Sequence, residues 1–519
     1  MFNRFKLHFL SLLGGALYAS GFPMLGDYTF ILGPIIGFLF LNWALESSDS
    51  RKQHLLMAWL FALGFYSMGF YWIPFLLKEF GGLVSPFNYL LGIVFSFVIL
   101  PQIYLLALIK KYIKSIFLLS FIYSLLEYFV PQQFPAHLGH SFISLAPKFH
   151  LSLAPYFGSA IYSFIICILS LTSLHFIKTK KISILHFVTV IVLLILSFLP
   201  LNKKEIDPKI NELNLRIVQP NIGNFMKVDS EKGGANSMKN VLDNYYSLST
   251  KEGHTPIDLI IWPETAFPTL LSSKLLMMSG NKNTPPLIKQ IIEKTNSEMF
   301  IGGYDFNTTA NSMYGYESEY NAAFYFSKEQ KLKDVYQKMQ LIPFGEGLPF
   351  GFFNKFLSNY ITNVSYFAKG ERATLFTLPN QRTFVAAICY EILFPNLIRD
   401  ILNANQTNPD FLINLTNDSW YGDTSEPYQH LFLSKWRALE FDLPIIRSTN
   451  TGITTIIFPD GSESPRLLIG ETKYLDYSFK ISSRVKTIYQ KFGIWSFILF
   501  GIIFCLIERI PLLKDRVIE

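Results

Sequence analysis

Long apolar runs dominate the first 200 residues of the chain and return once near its end. A helix needs about 20 apolar residues to cross a bilayer. The pattern therefore predicts a polytopic α-helical membrane bundle of about eight spans, about seven in a transmembrane bundle at 1–200 and one in a final helix and tail at 486–519. The runs lie at 8–22, 28–45, 55–77, 87–109, 115–130, 156–177, 182–200 and 492–511, of which the first and fifth are short.

The charged residues follow the same division. Residues 1–200 hold only 17 of the 83 Asp, Glu, Lys and Arg residues in the chain. Thirteen Lys and Arg residues lie in one set of connections between the apolar runs, and only Lys78 and Lys148 lie in the alternate set. Because basic loops stay in the cytoplasm, this bias predicts that both termini are cytoplasmic and that 201–485 is extracytoplasmic. The net charge of +7 is explained by this topology, so it does not indicate nucleic-acid binding.

Two other interpretations of the apolar runs are weaker. The first run could be a signal peptide, because Arg4 and Lys6 precede it, but no clean cleavage site follows and further runs come at once. A soluble protein with buried core helices would explain neither the length of the runs nor the alternating charge. Glu127, His137 and His140, near the outer end of the fifth run, are candidates for function. The plain alternative is that Glu127 reaches water at a span end.

Residues 201–485 alternate short β-rich runs with helical stretches. Several of the predicted strands are apolar throughout, which is typical of strands covered on both faces. Strands mixed with helices predict an α/β layered domain. The predicted strands are Leu213–Gln219, Asp258–Trp262, Met299–Tyr304, Ala322–Phe326, Thr383–Cys389, Phe411–Thr416, Ile445–Ser448 and Thr454–Phe458. The predicted helices lie at 236–250, 285–296, 394–404 and 428–441.

One cysteine of the three lies in this domain. Cys167 and Cys505 fall inside apolar runs, where they are predicted to be unreactive packing residues. Cys389 ends a predicted strand just before a helix. A thiol at such an elbow can have backbone N–H groups beside it, which lower its pKa and bind an oxyanion. The alternative is a buried structural cysteine.

Two further stretches carry candidate chemistry. Glu264 comes directly after a buried strand that Pro263 ends, so it lies at the rim of a sheet, where sites are common. Its alternative is a helix-capping or surface glutamate. Lys338 is embedded among aromatic and apolar residues. It is either a cation positioned for chemistry or a surface lysine whose aliphatic stem covers apolar residues. Together a carboxylate, a lysine and a thiol make an acyl-transfer site.

These three stretches resemble, in the right order, the motifs of the nitrilase (carbon–nitrogen hydrolase) superfamily. Downstream motifs resemble one branch more closely, the apolipoprotein N-acyltransferases of bacterial membranes, whose multi-span bundle with one external nitrilase-like domain is the topology derived above. The superfamily motifs are Trp262-Pro263-Glu264-Thr265, Lys338 with Pro343-Phe344-Gly345-Glu346, and Cys389-Tyr390-Glu391. The branch motifs are Asn417-Asp418-Ser419-Trp420-Tyr421-Gly422, Gln429-His430, Arg437-Ala438-Leu439-Glu440 and Arg447-Ser448-Thr449-Asn450-Thr451-Gly452.

The resemblance implies an α-β-β-α sandwich at 201–485 and a role for each site residue. Glu264 would be the general base, Lys338 the oxyanion-stabilising cation and Cys389 the nucleophile. The supporting residues that would line the pocket and hold the thiol and lysine are Glu346, Tyr390 and Glu391. The family often has a tryptophan where this chain has Val228, so an aromatic contact is either missing or supplied elsewhere, for example by Trp420.

The implied activity is transfer of a fatty acyl chain from a phospholipid, with phosphatidylethanolamine suggested, through a cysteine thioester to the N-terminal amine of a diacylglyceryl-cysteine lipoprotein. It would take place at the bacterial cytoplasmic (inner) membrane as the last step of lipoprotein maturation. No metal cluster, phosphate loop or dinucleotide motif is visible, so no cofactor is expected. One alternative is a membrane-tethered amidase or nitrilase-type hydrolase that uses water as acceptor, and another is a catalytically inactive lipid- or lipoprotein-binding protein.

An aromatic segment follows the lysine motif. Residues Leu348–Phe367 carry few charges, and we expect them to form an arm or lid that dips into the lipid headgroup region. Ordinary core packing is the alternative. Its aromatic residues are Phe350, Phe352, Phe353, Phe356, Tyr360, Tyr366 and Phe367.

Overall fold

The computed structural model of the protein divides into two compact units. Its description covers residues 2–79, 82–200, 212–253, 255–306, 319–360, 364–481, 484–508 and 517–518. One unit takes in 1–203, 424–442 and 486–519, and is helical. The other takes in 204–423 and 443–485, and is built on β-sheets.

Every apolar run predicted from the sequence contains a helix in the first unit, but the runs at 55–77, 87–109 and 156–177 are each broken into two helices. The run at 87–109 forms two nine-residue helices, Phe87–Phe95 and Pro101–Ile109, because Pro101 cannot continue a preceding helix. The helices are Phe2–Ala19, Leu32–Glu46, Arg51–Gly69, Ile73–Glu79, Phe87–Phe95, Pro101–Ile109, Ile116–Phe129, Ala154–Phe157, Ala160–Thr179, Ile184–Phe198, Glu426–Phe441, Ile488–Phe492 and Ile494–Ile507, with 3₁₀ turns at Lys110–Tyr112 and Leu138–Leu145.

The predicted bundle of eight spans is not confirmed. Among the described residues, one helix, Ala160–Thr179, is both long and apolar enough to cross a bilayer. A second candidate is the pair Arg51–Gly69 and Ile73–Glu79, which is bent by 67°. Five further apolar helices are shorter than a full span. The difference arises because the apolar runs include turns, so most of the helices are shorter than the runs that predicted them.

Large apolar side chains remain exposed on several helices of this unit. Trp495 and Leu499 on the last helix are 67% and 64% exposed. Similar side chains project from Phe87–Phe95 and Ile184–Phe198. Apolar surface of this extent is unusual on a monomeric soluble protein and is typical of a surface that meets lipid or a partner.

The acidic residue of the fifth run is buried in a hydrogen-bonded network. Glu127 is 2% exposed, and its Oε1 accepts hydrogen bonds from the backbone N–H of Leu138 at 2.7 Å and from Tyr18 Oη at 3.2 Å. His137 and His140 stack on each other with their ring centroids 4.5 Å apart. The interpretation in which Glu127 reaches water is therefore wrong, and its contacts instead hold the start of the 3₁₀ turn.

One helix of the predicted catalytic segment belongs to the helical unit. In Glu426–Phe441, Gln429 Nε2 donates hydrogen bonds to the carbonyl oxygens of Pro23 at 2.8 Å and Gly69 at 2.7 Å, and its Oε1 accepts one from Trp72 Nε1 at 3.1 Å. Trp436 Nε1 donates to the carbonyl oxygen of His140 at 3.1 Å. The predicted catalytic segment 201–485 included this helix, but the structure places it in the helical unit. The reason is that its buried side chains find their hydrogen-bond partners in that unit.

The second unit contains two sheets. Fourteen strands occur in the described residues, and the first and last form a short antiparallel pair in the helical unit. They are β1 (Ile182–Ser183), β2 (Glu212–Gln219), β3 (Leu259–Ile261), β4 (Leu270–Leu271), β5 (Glu298–Phe306), β6 (Glu319–Phe326), β7 (Leu332–Gln337), β8 (Phe376–Thr377), β9 (Thr383–Ile388), β10 (Phe411–Thr416), β11 (Ile445–Thr449), β12 (Thr455–Ile457), β13 (Lys473–Lys480) and β14 (Val517–Ile518). The larger sheet has the order β13-β2-β3-β5-β6-β7 with β4 beside β5, and the smaller has β12-β11-β10-β9-β8.

The two sheets pack face to face through aromatic side chains. Phe300 of β5 lies 5.1 Å from Phe384 of β9 between ring centroids, and Tyr325 of β6 lies 6.0 Å from Phe376 of β8. On the outer face of the larger sheet, two helices pack through Tyr245 and other apolar residues. Helices flank the sheets, so the unit has the expected layered α/β architecture. The helices are Asn224–Glu231, Ala235–Thr250, Ser273–Ser279, Pro286–Thr295, Asn354–Leu357 and Pro395–Asn403, with 3₁₀ turns at Gly351–Phe353, Cys389–Leu393 and Asp418–Tyr421.

All eight predicted strands and all four predicted helices of this segment are present, and no end is shifted by more than three residues. Strands β7 and β13 were not predicted, because both lie at sheet edges and mix polar with apolar residues. Strands β4 and β8 have two residues each, too few for a pattern.

Candidate active site

Strand direction brings the three predicted residues to one region of the second unit. Strands β3 and β5 are parallel, β6 is antiparallel to β5, and β7 is antiparallel to β6, so β3 and β7 run the same way. Glu264 follows the end of β3 and Lys338 follows the end of β7, which places both at the same edge. Cys389 directly follows β9 of the smaller sheet.

Lys338 is fully buried and lies between two carboxylates. Its Nζ is 2.9 Å from both carboxylate oxygens of Glu346 and 3.3 Å from Oε1 of Glu264. Burial by itself would lower the pKa of Lys338, but the charges of Glu346 and Glu264 outweigh it and raise the pKa above its usual range. The side chain is therefore a permanent ammonium ion, and the interpretation of Lys338 as a surface lysine is wrong.

Glu264 is held by side chains from neighbouring strands. Asn321 Nδ2 of β6 donates hydrogen bonds to Glu264 Oε1 at 2.7 Å and to Glu346 Oε1 at 2.9 Å. The backbone at Glu264 also lies directly against β5, because a Cβ atom at Gly302 would be 2.2 Å from the carbonyl oxygen of Pro263. Glycine is therefore required at 302. Glu264 is 7% exposed, so it is neither a surface residue nor a helix cap.

Cys389 occupies a strained turn between β9 and a 3₁₀ helix. Its φ is +50°, in the left-handed region that residues other than glycine rarely adopt. The side chain is 4% exposed. Burial raises the pKa of the Cys389 thiol, the charge of Glu264 raises it further, and the charge of Lys338 lowers it. The thiol is therefore protonated at rest, and both charged groups lie close enough to act on it.

A buried polar network supports the strand that carries Cys389. Asn414 Nδ2 of β10 donates to the carbonyl oxygen of Ala387 at 3.1 Å. Arg447 of β11 donates to Asn414 Oδ1 at 3.0 Å and forms an ion pair with Asp418 Oδ2 at 2.9 Å. Asn414, Arg447 and Asp418 are all buried, so this network fixes the end of the smaller sheet.

Glu391 connects the lysine segment to the cysteine turn. Its Oε1 accepts hydrogen bonds from the backbone N–H groups of Met339 at 2.6 Å and Gln340 at 2.9 Å. Its Oε2 accepts from the backbone N–H of Ile388 at 2.7 Å and from Tyr336 Oη at 2.9 Å. The carboxylate thus joins residues on both sides of Lys338 to the residue before Cys389. It is a positioning residue for both.

Replacing Glu391 by glutamine is expected to destabilise the protein by about 1–3 kcal/mol. The new NH₂ group must face two of the four donors that now meet carboxylate oxygens, so at least one buried N–H loses its acceptor. The matched control is Glu329→Gln, whose side chain is 63% exposed and should change stability little. Thermal unfolding of the two purified variants checks this, and equal midpoints would contradict the linking role of Glu391.

The remaining predicted residues lie around these three. Glu346 is buried and contacts Lys338 directly, as described above. Tyr390 is buried and packs edge-on against Phe394 at 4.7 Å between ring centroids. Trp420 is half-buried on the turn Asp418–Tyr421. Val228 lies half-buried on the helix Asn224–Glu231.

Several residues of the site were missed by sequence reasoning. Two of them, Asn321 in Glu319–Phe326 and Asn414 in Phe411–Thr416, share one signal: each is a polar residue in a mostly apolar strand, and such a residue must find a partner when buried. Lys227 carries no such signal, because its helix is mixed in polarity. Asp418 and Arg447 occur in the branch motifs, but the sequence did not give them a role at the site. The missed residues are Lys227, Asn321 and Asn414.

The geometry supports a specific chemistry. A buried thiol lies within the electrostatic reach of a carboxylate and a permanent ammonium ion. The carboxylate can accept the thiol proton, and the ammonium ion can stabilise negative charge that develops on an oxygen. The arrangement of these three groups is suited to nucleophilic attack on a carbonyl group.

Comparisons with known proteins identify the family of the chain. Residues 215–476 match the carbon–nitrogen hydrolase family model, and residues 14–172 match the apolipoprotein N-acyltransferase N-terminal domain model. An apolipoprotein N-acyltransferase of Bdellovibrio bacteriovorus is 28% identical over 478 residues, which cover 87% of this chain and 85% of that protein. One of Rickettsia prowazekii is 27% identical over 507 residues, which cover 94% of each.

Among solved structures, Saccharomyces cerevisiae Nit3, a member of branch 10 of the nitrilase superfamily, aligns with a TM-score of 0.35 and 14% identity. The alignment covers 54% of this chain and 92% of that one. The carbon–nitrogen hydrolase match alone spans half of the chain, and the N-terminal match adds a domain named for the membrane branch. The chain therefore belongs to the carbon–nitrogen hydrolase family, in the branch of the apolipoprotein N-acyltransferases.

Proposed function

We propose that this acyltransferase moves a fatty acyl chain from a phospholipid to the N-terminal amine of a diacylglyceryl-cysteine lipoprotein, through a thioester on Cys389. The observation that carries the proposal is the contact between Lys338 and Glu264 at 3.3 Å, with both charges acting on the Cys389 thiol. The other supporting facts are the family match and the relatives named as apolipoprotein N-acyltransferases.

The first half-reaction begins with proton transfer. Because burial and the charge of Glu264 raise the pKa of Cys389, the thiol needs a base, and Glu264 takes its proton as the sulfur attacks. Both hydrogen bonds that the described residues make to Glu264 reach Oε1, which leaves Oε2 to accept that proton. The sulfur bonds to an ester carbonyl carbon of the phospholipid, and the carbonyl π electrons move to oxygen.

Lys338 stabilises the resulting oxyanion. Its ammonium group is buried and is held by Glu346, so little reorganisation is needed when negative charge develops nearby. The backbone N–H groups near Tyr390 supply further donors. Collapse of the tetrahedral intermediate breaks the ester C–O bond, the alkoxide takes the proton from Glu264, and a lysophospholipid leaves a thioacyl-enzyme.

The second half-reaction uses an amine. The α-amino group of the lipoprotein attacks the thioester carbonyl, the C–S bond breaks, and Glu264 carries the amine proton to the departing thiolate. The products are an amide and the resting thiol. Exclusion of water from the buried site favours transfer to the amine over hydrolysis.

Lipid access explains why the catalytic unit is joined to an apolar one. Moving an acyl chain into water costs ~0.8 kcal/mol for each CH₂ group. The aromatic segment supports contact with lipid, because Phe352, Phe356 and Tyr360 are 84%, 60% and 72% exposed. The alternative of ordinary core packing does not fit those three side chains. We infer that Leu348–Phe367 reaches the headgroup region; residues 361–363 lie outside the described part of the chain.

The chain is a protein of the bacterial inner membrane, as its family membership implies. The multi-pass topology, with both termini cytoplasmic and the catalytic unit extracytoplasmic, is our proposal. Its support is the Lys and Arg bias of the connections and the exposed apolar side chains of the helical unit.

The identity of the acyl acceptor separates this function from that of a water-using hydrolase. We expect purified protein incubated with phosphatidylethanolamine vesicles to gain the mass of one acyl chain. Adding a synthetic peptide with an N-terminal diacylglyceryl-cysteine should discharge the adduct within minutes and yield the N-acylated peptide. The same peptide with its amine acetylated is the control. Release of free fatty acid at the same rate with either peptide would show a hydrolase instead.

A further inference from the structure

A second buried lysine lies beside Glu264. Lys227, on the helix Asn224–Glu231, is 8% exposed. Its Nζ donates hydrogen bonds to the carbonyl oxygen of Thr265 at 3.0 Å and to the hydroxyl of Thr265, and it lies 3.6 Å from Glu231 Oε1. A lysine is rarely buried to this degree unless its charge is paired. Burial of the Lys227 ammonium group therefore indicates a specific role.

The residue that Lys227 holds is strained and is bonded to Glu264. Thr265 has a φ of +47°, and for a β-branched residue this left-handed conformation is a true outlier. Such conformations persist where surrounding contacts impose them, and they cluster at active sites. The backbone N–H of Ala266 donates to the carbonyl oxygen of Gly302 at 3.0 Å, which fixes the loop to β5. Lys227 fixes the same loop through Thr265.

Charge gives a second reason. Lys338 lies nearer to Glu346, at 2.9 Å, than to Glu264, at 3.3 Å, so two carboxylates share that cation. Burial lowers the pKa of Lys227 below its usual value, and the charges of Glu231 and Glu264 offset only part of that shift. A small cavity is lined by Lys227, Glu231, Glu264 and Thr265 among other residues, so these groups adjoin one space. Lys227 thus adds positive charge at the proposed base.

We propose that Lys227 is a positioning residue for Glu264: it holds the strained backbone of Thr265 and places a positive charge beside the Glu264 carboxylate. This inference rests on the proposed function, in which Glu264 takes the Cys389 proton. Glu231 has the opposite effect, because it competes with Glu264 for the charge of Lys227. Tyr304 Oη donates a hydrogen bond to Glu231 Oε1 at 2.8 Å, which holds the Glu231 carboxylate in place. The titratable and charged groups that act on Glu264 or its cations are Lys227, Glu231, Tyr304, Lys338, Glu346 and Cys389.

The test is the pH dependence of acyl-adduct formation by the full-length protein with phosphatidylethanolamine, followed by intact mass. Lys227→Met removes a positive charge beside the proposed base, so the acid limb of the pH–rate profile should move to higher pH by about one unit. Glu231→Gln removes the competing anion, so the acid limb should move down. A loss of packing alone would lower the rate in both variants without opposite shifts.

Two matched variants serve as controls. Lys227→Arg keeps the charge and should return the acid limb to its wild-type position. Lys232→Met removes an exposed lysine next to the same helix and should leave the profile unchanged. If Lys227→Met does not fold, the pH–rate profile of Glu231→Gln still tests the proposal, because its acid limb should move to lower pH. An acid limb that stays at the wild-type pH in both Lys227→Met and Glu231→Gln would overturn the proposal. Undiminished adduct formation in Glu264→Gln would instead refute the role of Glu264 itself.

Discussion

Cys389→Ser is expected to abolish the acyl adduct and to reduce lipoprotein acylation roughly a thousandfold or more. A serine hydroxyl is far less acidic than a thiol, and the site already works against a pKa that burial raises at Cys389. Glu264 therefore cannot generate a comparable nucleophile from serine. The change is small in volume and keeps a polar atom, so the fold should be retained.

The measurement is intact mass spectrometry after incubation with phospholipid. The wild-type adduct should be removed by neutral hydroxylamine, as a thioester is. Cys505→Ser, in the helix Ile494–Ile507, is the matched control and should still form the adduct. Wild-type protein that acylates lipoprotein without ever carrying an adduct would refute the covalent mechanism.

Lys338→Met should cost both catalysis and stability. Loss of one oxyanion donor lowers a rate by about 10²–10³-fold. The same change leaves Glu264 and Glu346, which are 7% and 8% exposed, without the cation that lies between them. Removal of one member of a buried ion pair costs about 3–5 kcal/mol. The rate of adduct formation and the thermal unfolding midpoint measure the two effects.

A second substitution separates the two roles of Lys338. In the double variant Lys338→Met with Glu346→Gln, one of the two carboxylates that lose their cation is replaced by a neutral amide. Part of the lost stability should therefore return, while the rate of adduct formation stays low. Lys333→Met is the surface control, because Lys333 is half exposed on strand β7, which ends just before Lys338, and pairs with Glu329 at 3.8 Å. Lys338→Met with an adduct rate within about threefold of wild type would exclude oxyanion stabilisation by Lys338.

Much of the local structure could be predicted from the sequence. The strand Phe411–Thr416 was predicted with its ends as found, because a short, mostly apolar run, interrupted only by Asn414, lies between turn-forming residues. The apolar runs of the first 200 residues were correctly predicted to be helical, but not where each helix breaks, since 87–109 reads as one run. Glu264, Lys338 and Cys389 could be chosen because each stands out from its neighbours in a motif.

The sequence by itself therefore determined the helices, the buried strands and the three chemical groups, because these depend on the residue types within a short window. Only the tertiary structure decided which groups meet. Three hydrogen bonds of Glu391, the contact of the Lys227 ammonium group with Thr265, and the grouping of Glu426–Phe441 with the helical unit all depend on partners distant along the chain. Such contacts arise from strand order and direction, which a local pattern of apolar and polar residues does not encode.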